Sequence, residues 1–211
     1  MIMLHYNAMK KLFFTFFTPF VIAGTAIAAP KAAPVALDTI RTTYDDGRVS
    51  RIYTVLKGTD VREGVSLTYH PNGKLAIEVP YRNGKIDGVL RSYDENGMLH
   101  ETIGYLEGEE EGYSTIYYAN GKRKSRETYR HGILNGMSEN WDEKGKLLRQ
   151  IPYVDGQIHG VFKMYDEFGK IKEDMNFIHG LRNGAYRRYK YGKLEFEAEF
   201  QNNRCVKNCN F

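Results

Sequence analysis

The stretch that decides the fold runs Val89-Leu-Arg-Ser-Tyr93-Asp-Glu-Asn-Gly97-Met-Leu-His-Glu-Thr-Ile-Gly-Tyr105-Leu-Glu-Gly108. Apolar and polar residues alternate on both sides of Asn96-Gly97, which is the period of a β-strand. Asn-Gly favours a tight hairpin turn of the primed type, because both residues tolerate positive φ. The stretch therefore predicts one β-hairpin with strands of roughly six to eight residues.

This hairpin recurs with a period of 24 residues, marked by three glycine series that begin at Gly64, Gly73 and Gly84. Two aromatic series keep the same period: Tyr69, Tyr93, Tyr117, Trp141 and Tyr165, and Tyr81, Tyr105, Tyr129, Tyr153 and Phe177. The complete units are 65–88, 89–112, 113–136, 137–160 and 161–184, flanked by degraded units at about 41–64 and 185–207. The sequence predicts an all-β fold, in which tandem hairpins form an elongated antiparallel meander within a single sheet.

Alternation along the strands also predicts which side chains share a face. Val65 and Tyr69 share a side in the first strand of a unit, and Leu75, Val79 and Tyr81 share a side in the second. We expect one apolar face, which the sheet covers by curling or which a partner covers. A glycine beside an aromatic lets the ring lie across bare backbone and hides apolar area.

The first 40 residues differ in composition from the repeats. Lys10-Lys11, an apolar stretch over 12–23 and the small residues Ala26-Ile27-Ala28 have the three-part layout of a secretory signal. We therefore expect a signal peptide over 1–28, an Ala/Pro-rich linker over 29–40 and the repeat domain over 41–211. The apolar stretch is too short for a stable membrane span, so we expect cleavage to leave no transmembrane segment in the mature chain. The alternative is an N-terminal membrane anchor that is left uncleaved. The expected location is the periplasm, the cell envelope or the extracellular space.

The two cysteines, Cys205 and Cys209, lie close together near the end of the chain. Export to an oxidising compartment favours a disulfide between them, which would hold a fraying terminus.

The formal charge is +4, with basic and acidic residues interspersed along the chain. Such a distribution lacks the clustered basic face that nucleic-acid binding requires.

The chain shows no motif that predicts catalysis, a cofactor or a metal site. The histidines of the repeats are expected in solvated turns, and no serine or glycine-rich loop has the context of a catalytic or phosphate-binding motif. Acid pairs recur at one turn position, as Asp94-Glu95, Asp142-Glu143 and Asp166-Glu167. Acidic residues at such positions are typical of turns, where the side chain hydrogen-bonds to the backbone. The alternative is that the pairs bind Ca²⁺ ions in a repeating array. We expect a protein that is not an enzyme.

The spacing of Tyr93, Gly97, Tyr105, Gly108 and Gly112 resembles the MORN-variant repeat, in which Tyr-x-x-x-Gly precedes Tyr-x-x-Gly-x-x-x-Gly. Bacterial arrays of this repeat resemble the YwqK family, which is often labelled antitoxin-like. The resemblance covers about 41–207 and implies a membrane-proximal or protein-scaffold role.

The aromatic residues are the best candidates for a binding site. Tyrosine and tryptophan combine stacking area with a polar tip, which suits recognition of proteins or glycans. The alternative is that they form the core of a thin sheet. The first interpretation is an envelope scaffold for a protein partner, the second a binder of cell-wall or surface glycan, and the third a YwqK-like toxin neutraliser. The candidate residues form a Tyr/Trp stripe of Tyr69, Tyr93, Tyr117, Trp141, Tyr165 and Tyr189.

Overall fold

The computed structural model describes residues 35–210, which form one open antiparallel β-sheet and no helix. The predicted signal peptide, residues 29–34 of the predicted linker and the final residue lie outside the described residues. The sheet consists of β1 Leu37–Thr43, β2 Val49–Leu56, β3 Gly64–Tyr69, β4 Leu75–Arg82, β5 Lys85–Ile86, β6 Gly88–Tyr93, β7 Leu99–Leu106, β8 Glu109–Tyr117, β9 Arg123–Arg130, β10 Ile133–Leu134, β11 Gly136–Trp141, β12 Leu147–Val154, β13 Gln157–Ile158, β14 Gly160–Tyr165, β15 Ile171–Ile178, β16 Leu181–Lys190, β17 Lys193–Gln201 and β18 Arg204–Lys207.

Each long strand pairs with the strands before and after it in the chain, and every pairing is antiparallel. This connectivity confirms the predicted meander. Among the described residues no large side chain is completely buried, because a single-layer sheet has no second layer to pack against. Stability must therefore come from contacts between neighbouring hairpins.

The predicted linker extends too far into the chain. β1 begins at Leu37, inside the segment 29–40 that composition assigns to a linker. Leu37 pairs with Leu56 and Ile40 pairs with Tyr53, so the backbone of this segment is already part of the sheet. The Ala and Pro residues that indicate a linker lie before Leu37, whereas Thr39 and Ile40 are good strand formers.

The primed turns occur at a different turn series from the one predicted. In the Asn96-Gly97 turn, Gly97 has φ 83° and donates its N–H to the carbonyl of Asp94 at 2.8 Å. That is a four-residue turn followed by a glycine bulge. Both central residues have positive φ in the other series, where Asn83 has φ 51° and Gly84 has φ 80°. The turns of this series are Asn83-Gly84, Glu107-Gly108, His131-Gly132, Asp155-Gly156, His179-Gly180 and Asn202-Asn203, and Tyr191-Gly192 adopts the same conformation in the shortened last unit.

The two aromatic series lie on opposite faces of the sheet, which corrects the expectation of one apolar face. Residues paired directly across an antiparallel ladder share a face. Val65 pairs with Pro80, whereas Tyr81 pairs with Gly64, so Val65 and Tyr81 point to opposite sides. A register shift pairs Tyr69 with Leu75, which removes Leu75 from the side of Tyr81. Sequence alternation could not show this, because it does not reveal how two strands are registered or where a bulge falls.

We call the face that carries Tyr81, Tyr105, Tyr129, Tyr153 and Phe177 the ring face, and the face that carries the Tyr/Trp stripe the ladder face. The series that begins at Val65 lies on the ladder face and is exposed there. Its members Val65, Val89, Tyr113, Met137 and Val161 are between 37% and 57% exposed. These residues are surface residues and not part of a covered core.

Candidate binding surfaces

On the ring face, each aromatic residue of the Tyr81 series lies directly opposite a glycine. Tyr153 pairs with Gly136, whose φ of 130° places a would-be Cβ 2.8 Å from Thr128 Cβ. The backbone beside the ring is therefore bare, as the sequence predicts. The equivalent pairs are Gly64–Tyr81, Gly88–Tyr105, Gly112–Tyr129, Gly160–Phe177 and Gly184–Phe200.

The ring face opens into an apolar depression at its C-terminal end, which we call the C-terminal trough. It has a volume of about 550 Å³. Phe162 packs edge-to-face on Phe177 with ring centroids 6.5 Å apart, and Tyr186 packs in the same manner on Phe200, also at 6.5 Å. The apolar residues that line the trough are Ile151, Ile158, Phe162, Met175, Phe177, Tyr186 and Phe200.

One position of the repeat decides where the trough forms. Phe162 pairs with Met175 in its own hairpin, and the equivalent residue of the preceding unit, Ser138, pairs with Ile151. Serine also occupies the position at Ser66 and Ser114, and both Ser66 and Ser138 are buried. The same strand position thus carries a small side chain in most of the earlier units and an aromatic ring at Phe162 and Tyr186.

Charged groups border the trough. The guanidinium of Arg182 lies 5.7 Å from the centroid of the Phe200 ring. Burial raises the pKa of Tyr186, and the negative charge of Glu173 raises that pKa further. The trough therefore combines an apolar floor with the charged residues Arg182, Glu173 and Asp174 in its lining.

A continuous row of mainly polar side chains crosses the middle of the ladder face. Each residue is the direct ladder partner of the next, so that neighbouring side chains lie close together. The row, which we call the polar row, consists of Glu78, Arg91, Thr102, Thr115, Arg126, Glu139, Gln150, Lys163, Asp174, Arg187 and Glu197.

Hydrogen bonds and ion pairs connect five of the neighbouring pairs in the polar row: Glu78–Arg91, Arg126–Glu139, Glu139–Gln150, Asp174–Arg187 and Arg187–Glu197. Arg126 donates to Glu139 Oε2 at 2.6 Å, and Gln150 donates to Glu139 Oε1 at 2.9 Å. Asp174, only 7% exposed, faces Arg187 at 3.6 Å. The Arg126–Glu139 and Asp174–Arg187 contacts join hairpins from different repeats, whereas Glu139–Gln150 lies within one hairpin. Together they explain how charged residues can occupy the middle of a sheet.

The Tyr/Trp stripe lies beside the polar row, and all six of its residues are half-buried. The hydroxyl of Tyr165 donates to Gln150 Oε1 at 2.5 Å, and that of Tyr189 donates to Asp174 Oδ2 at 3.0 Å. The guanidinium groups of Arg123 and Arg126 lie 4.9 Å and 5.9 Å from the centroid of the Trp141 ring. The structure thus brings the predicted stripe together, but it also gives Trp141, Tyr165 and Tyr189 partners within the sheet.

The recurring acid pairs are part of the turns. Asp94 Oδ1 accepts the backbone N–H groups of Asn96 and Met98 at 2.9 and 2.8 Å. Asp142 accepts those of Lys144 and Lys146 in the same way. These backbone hydrogen bonds hold the pKa of both carboxyl groups below the usual value. Among residues 35–210, no group of three or more potential ligands is placed to hold a metal ion.

The end of the chain is closed covalently. Cys205 and Cys209 are joined by a disulfide, with their Cα atoms 5.8 Å apart. Cys205 belongs to β18, the last strand, and pairs with Phe200. The bond therefore holds the segment after β18 against the edge of the sheet, close to the C-terminal trough.

Sequence reasoning missed both the trough and the polar row. The sequence signal for the trough was the replacement of Ser138 by Phe162 at the same position of the next unit. Comparing only the residues that the repeats share does not detect such a difference. The signal for the polar row was the set of polar residues two positions after Val89, Tyr113, Met137 and Val161. Its recognition required the register between strands.

The 24-residue repeats are also evident when the chain is compared with known proteins. Five tandem segments match the family model of the MORN repeat variant: residues 62–83, 86–107, 110–131, 134–155 and 158–179. The segments begin three residues before the complete units that we predicted and keep the same period. A comparison with curated proteins gives no match. No helix in residues 35–210 is suited to cross a bilayer. The matched segments cover just over half of the chain, which therefore belongs to the MORN repeat variant family.

Proposed function

We propose that this protein is an exported, non-catalytic scaffold of the cell envelope that binds a protein partner through the C-terminal trough. The trough itself is the observation that supports this proposal most strongly. Its volume of about 550 Å³ lies in the range typical of ligand sites, and its floor carries several aromatic rings. Aromatic side chains that fill such depressions are typical anchors of protein interfaces.

Family membership supports the same general role. MORN repeats are generally associated with scaffolds that bind proteins or membranes, and the family is generally non-enzymatic. The envelope location rests on the predicted leader alone, which lies outside the described residues. The YwqK-like link remains a prediction, and a toxin would then be one kind of protein partner.

The repeat supplies its own test of the trough. Phe162→Ser places at this position the residue that Ser138 provides in the preceding unit, so we expect the sheet to fold. Capture of partners from an envelope extract by the mature chain should yield one stoichiometric protein, and Phe162→Ser should weaken its retention by at least about tenfold, as expected for an aromatic hot spot.

Leu90→Ser is the matched control, because Leu90 occupies the equivalent position in the unit at 89–112, away from the trough. It should leave retention of the partner unchanged. Equal retention by wild type and Phe162→Ser, with unchanged circular dichroism spectra, would show that the trough is not the binding site.

Glycan binding through the Tyr/Trp stripe is less well supported. Two guanidinium groups already lie over the Trp141 ring, and a sugar stacked there would have to displace one of them. The double variant Trp141→Ala, Tyr117→Ala tests this alternative. Loss of polysaccharide pelleting with an unchanged circular dichroism spectrum would favour a glycan ligand over a protein.

A further inference from the structure

His159 and His179 lie next to each other along the edge of the sheet where the primed turns are located. His159 lies between β13 and β14, and His179 lies in the turn between β15 and β16. Their ring centroids are 5.0 Å apart, and the rings are inclined by 72°. His159 is half-buried and His179 is exposed, so His159 is not the fully solvated turn residue that the sequence predicts.

The equivalent positions in other units are joined by hydrogen bonds. Asn83 donates its backbone N–H to Glu63 Oε2 at 2.6 Å, and Asn135 Nδ2 donates to Asp155 Oδ1 at 3.1 Å. Both contacts join residues that are 20 positions apart, which is also the separation of His159 and His179. The repeat thus brings the residues at the positions of His159 and His179 into contact in each of these units. The residue types at the two positions differ from unit to unit.

The histidine pair leaves a ring nitrogen without a hydrogen-bond partner. His159 Nδ1 is buried and has no hydrogen-bond partner among the described residues. Burial of such a group usually costs free energy, and an unsatisfied one therefore points to a missing ligand or ion. The free lone pair of a neutral imidazole is the donor that a transition metal requires.

The spacing of the two rings suits one shared metal ion. A zinc–nitrogen bond is about 2.0–2.1 Å long, and two imidazoles on a tetrahedral ion therefore have centroids roughly 5 Å apart. The torsion that turns an imidazole about its Cβ–Cγ bond is broad, so the exposed His179 can rotate its nitrogen toward that ion. Imidazole ligands favour Zn²⁺, Cu²⁺ and Ni²⁺ over Mg²⁺ and Ca²⁺, which prefer oxygen.

We propose that His159 and His179 together bind one late first-row divalent metal ion, of the class of Zn²⁺, Ni²⁺ or Cu²⁺. Water supplies the remaining ligands, since the described residues place no third potential ligand at this pair. Such an ion would link the hairpins that flank it and would satisfy His159 Nδ1. The site lies on a turn edge and is independent of the proposed partner-binding role.

Calorimetric titration of the untagged mature chain with ZnCl₂, NiCl₂ and CuCl₂ tests the proposal. We expect one bound ion per chain and a rise in Tm of about 5 °C at saturating metal. MgCl₂ and CaCl₂ should give neither effect. Absence of binding by all three transition-metal ions would overturn the proposal.

The repeat again provides substitutions that should preserve the fold. His159→Asn with His179→Asp rebuilds the Asn135–Asp155 pair of the preceding unit, and it should weaken metal binding by at least about tenfold, because both imidazoles are lost. His131→Asn is the matched control, since His131 occupies the turn position equivalent to His179 but has Glu111 as its neighbour. It should leave the affinity unchanged. Equal metal binding by wild type and the double variant would assign the ion to another site.

A gain of binding gives an independent result. Glu111→His should place two imidazoles at 111 and 131 and add a second metal ion per chain. This experiment does not depend on the stability of variants at the original pair. Failure of Glu111→His to bind a second ion would show that the spacing of these two positions is not sufficient to form a site.

Discussion

The ring face and the ladder face are formed by alternate residues of the same strands, yet neighbouring hairpins are held together differently on each. On the ring face, aromatic rings lie against glycine and against one another, as Tyr153 does opposite Gly136. On the ladder face, charged and amide side chains bond within and between repeats, as Glu139 does with Gln150 of its own hairpin and with Arg126 of the preceding repeat. The difference shows that a single-layer sheet can be stabilised by the packing of rings against glycine on one side and by polar contacts on the other.

The two faces also differ in how they vary along the chain. The polar row crosses most of the ladder face, whereas the ring face changes from Ser138 to Phe162 and there becomes the C-terminal trough. The ladder face, which is uniform along the chain, holds neighbouring repeats together. The ring face, which changes at its C-terminal end, provides a local binding surface. This contrast is the reason for assigning the partner to the ring face.

The largest expected effect comes from adding a side chain to the bare backbone of the ring face. Gly136→Asn should lower the free energy of unfolding by about 3 kcal/mol, because φ at Gly136 is 130° and a Cβ would lie 2.8 Å from Thr128 Cβ. Urea unfolding followed by the fluorescence of Trp141 measures the change.

Gly97→Asn is the control for that experiment, since φ at Gly97 is 83° and the nearest atom to a would-be Cβ is Lys74 Cδ at 3.6 Å. Asparagine tolerates this left-handed conformation, so the expected loss is below about 1 kcal/mol. Equal losses at the two glycines would mean that the ring face does not depend on close approach to bare backbone.

A smaller effect is expected from the polar row. Arg126→Ala should destabilise the protein by about 2 kcal/mol, because Glu139 would lose its charged partner while its side chain is only 12% exposed. A double-mutant cycle with Glu139→Ala should give a coupling free energy of about 1 kcal/mol that decreases at high salt.

The cycle between Arg187 and Glu197 provides the comparison, since these side chains are 40% and 43% exposed and still only 2.8 Å apart. Their coupling should be weaker, below about 0.5 kcal/mol, because water screens an exposed pair. A coupling as large as that of Arg126 and Glu139 would show that burial does not set the strength of the row.

The repeat, the all-β class and the meander could all be predicted from sequence, because they follow from local alternation and from the spacing of residues such as Tyr93, Gly97 and Tyr105. The two faces could not, because Tyr69 and Tyr81 belong to different strands and the register between strands depends on the bulge that pairs Tyr69 with Leu75. A one-residue shift in register reverses the face of every side chain in a strand.

The same limit applies to the candidate sites. The Tyr/Trp stripe could be predicted because its residues repeat at one position. The trough and the His159–His179 pair arise where a unit departs from the repeat, at Phe162 and at His159. Departures become informative only when the fold shows which residues from neighbouring units they meet.

The smallest effect is expected from a single hydroxyl on the ring face. Burial, together with a hydrogen bond to Glu127, raises the pKa of Tyr129 from 10.0 to about 12. The folded state therefore favours the neutral phenol more than the unfolded state does. The resulting stabilisation is complete below about pH 10 and is lost as the pH rises toward about 12.

Tyr129→Phe removes this dependence while it keeps the ring that lies opposite Gly112. Near neutral pH it should cost about 1 kcal/mol, the value of one hydrogen bond, and its urea midpoint should fall less steeply than that of wild type above pH 10. Glu127→Gln should give an intermediate slope, because burial, the larger cause of the shift, remains. Identical slopes for wild type and Tyr129→Phe would mean that the ring face leaves this phenol as accessible to water as the unfolded chain does.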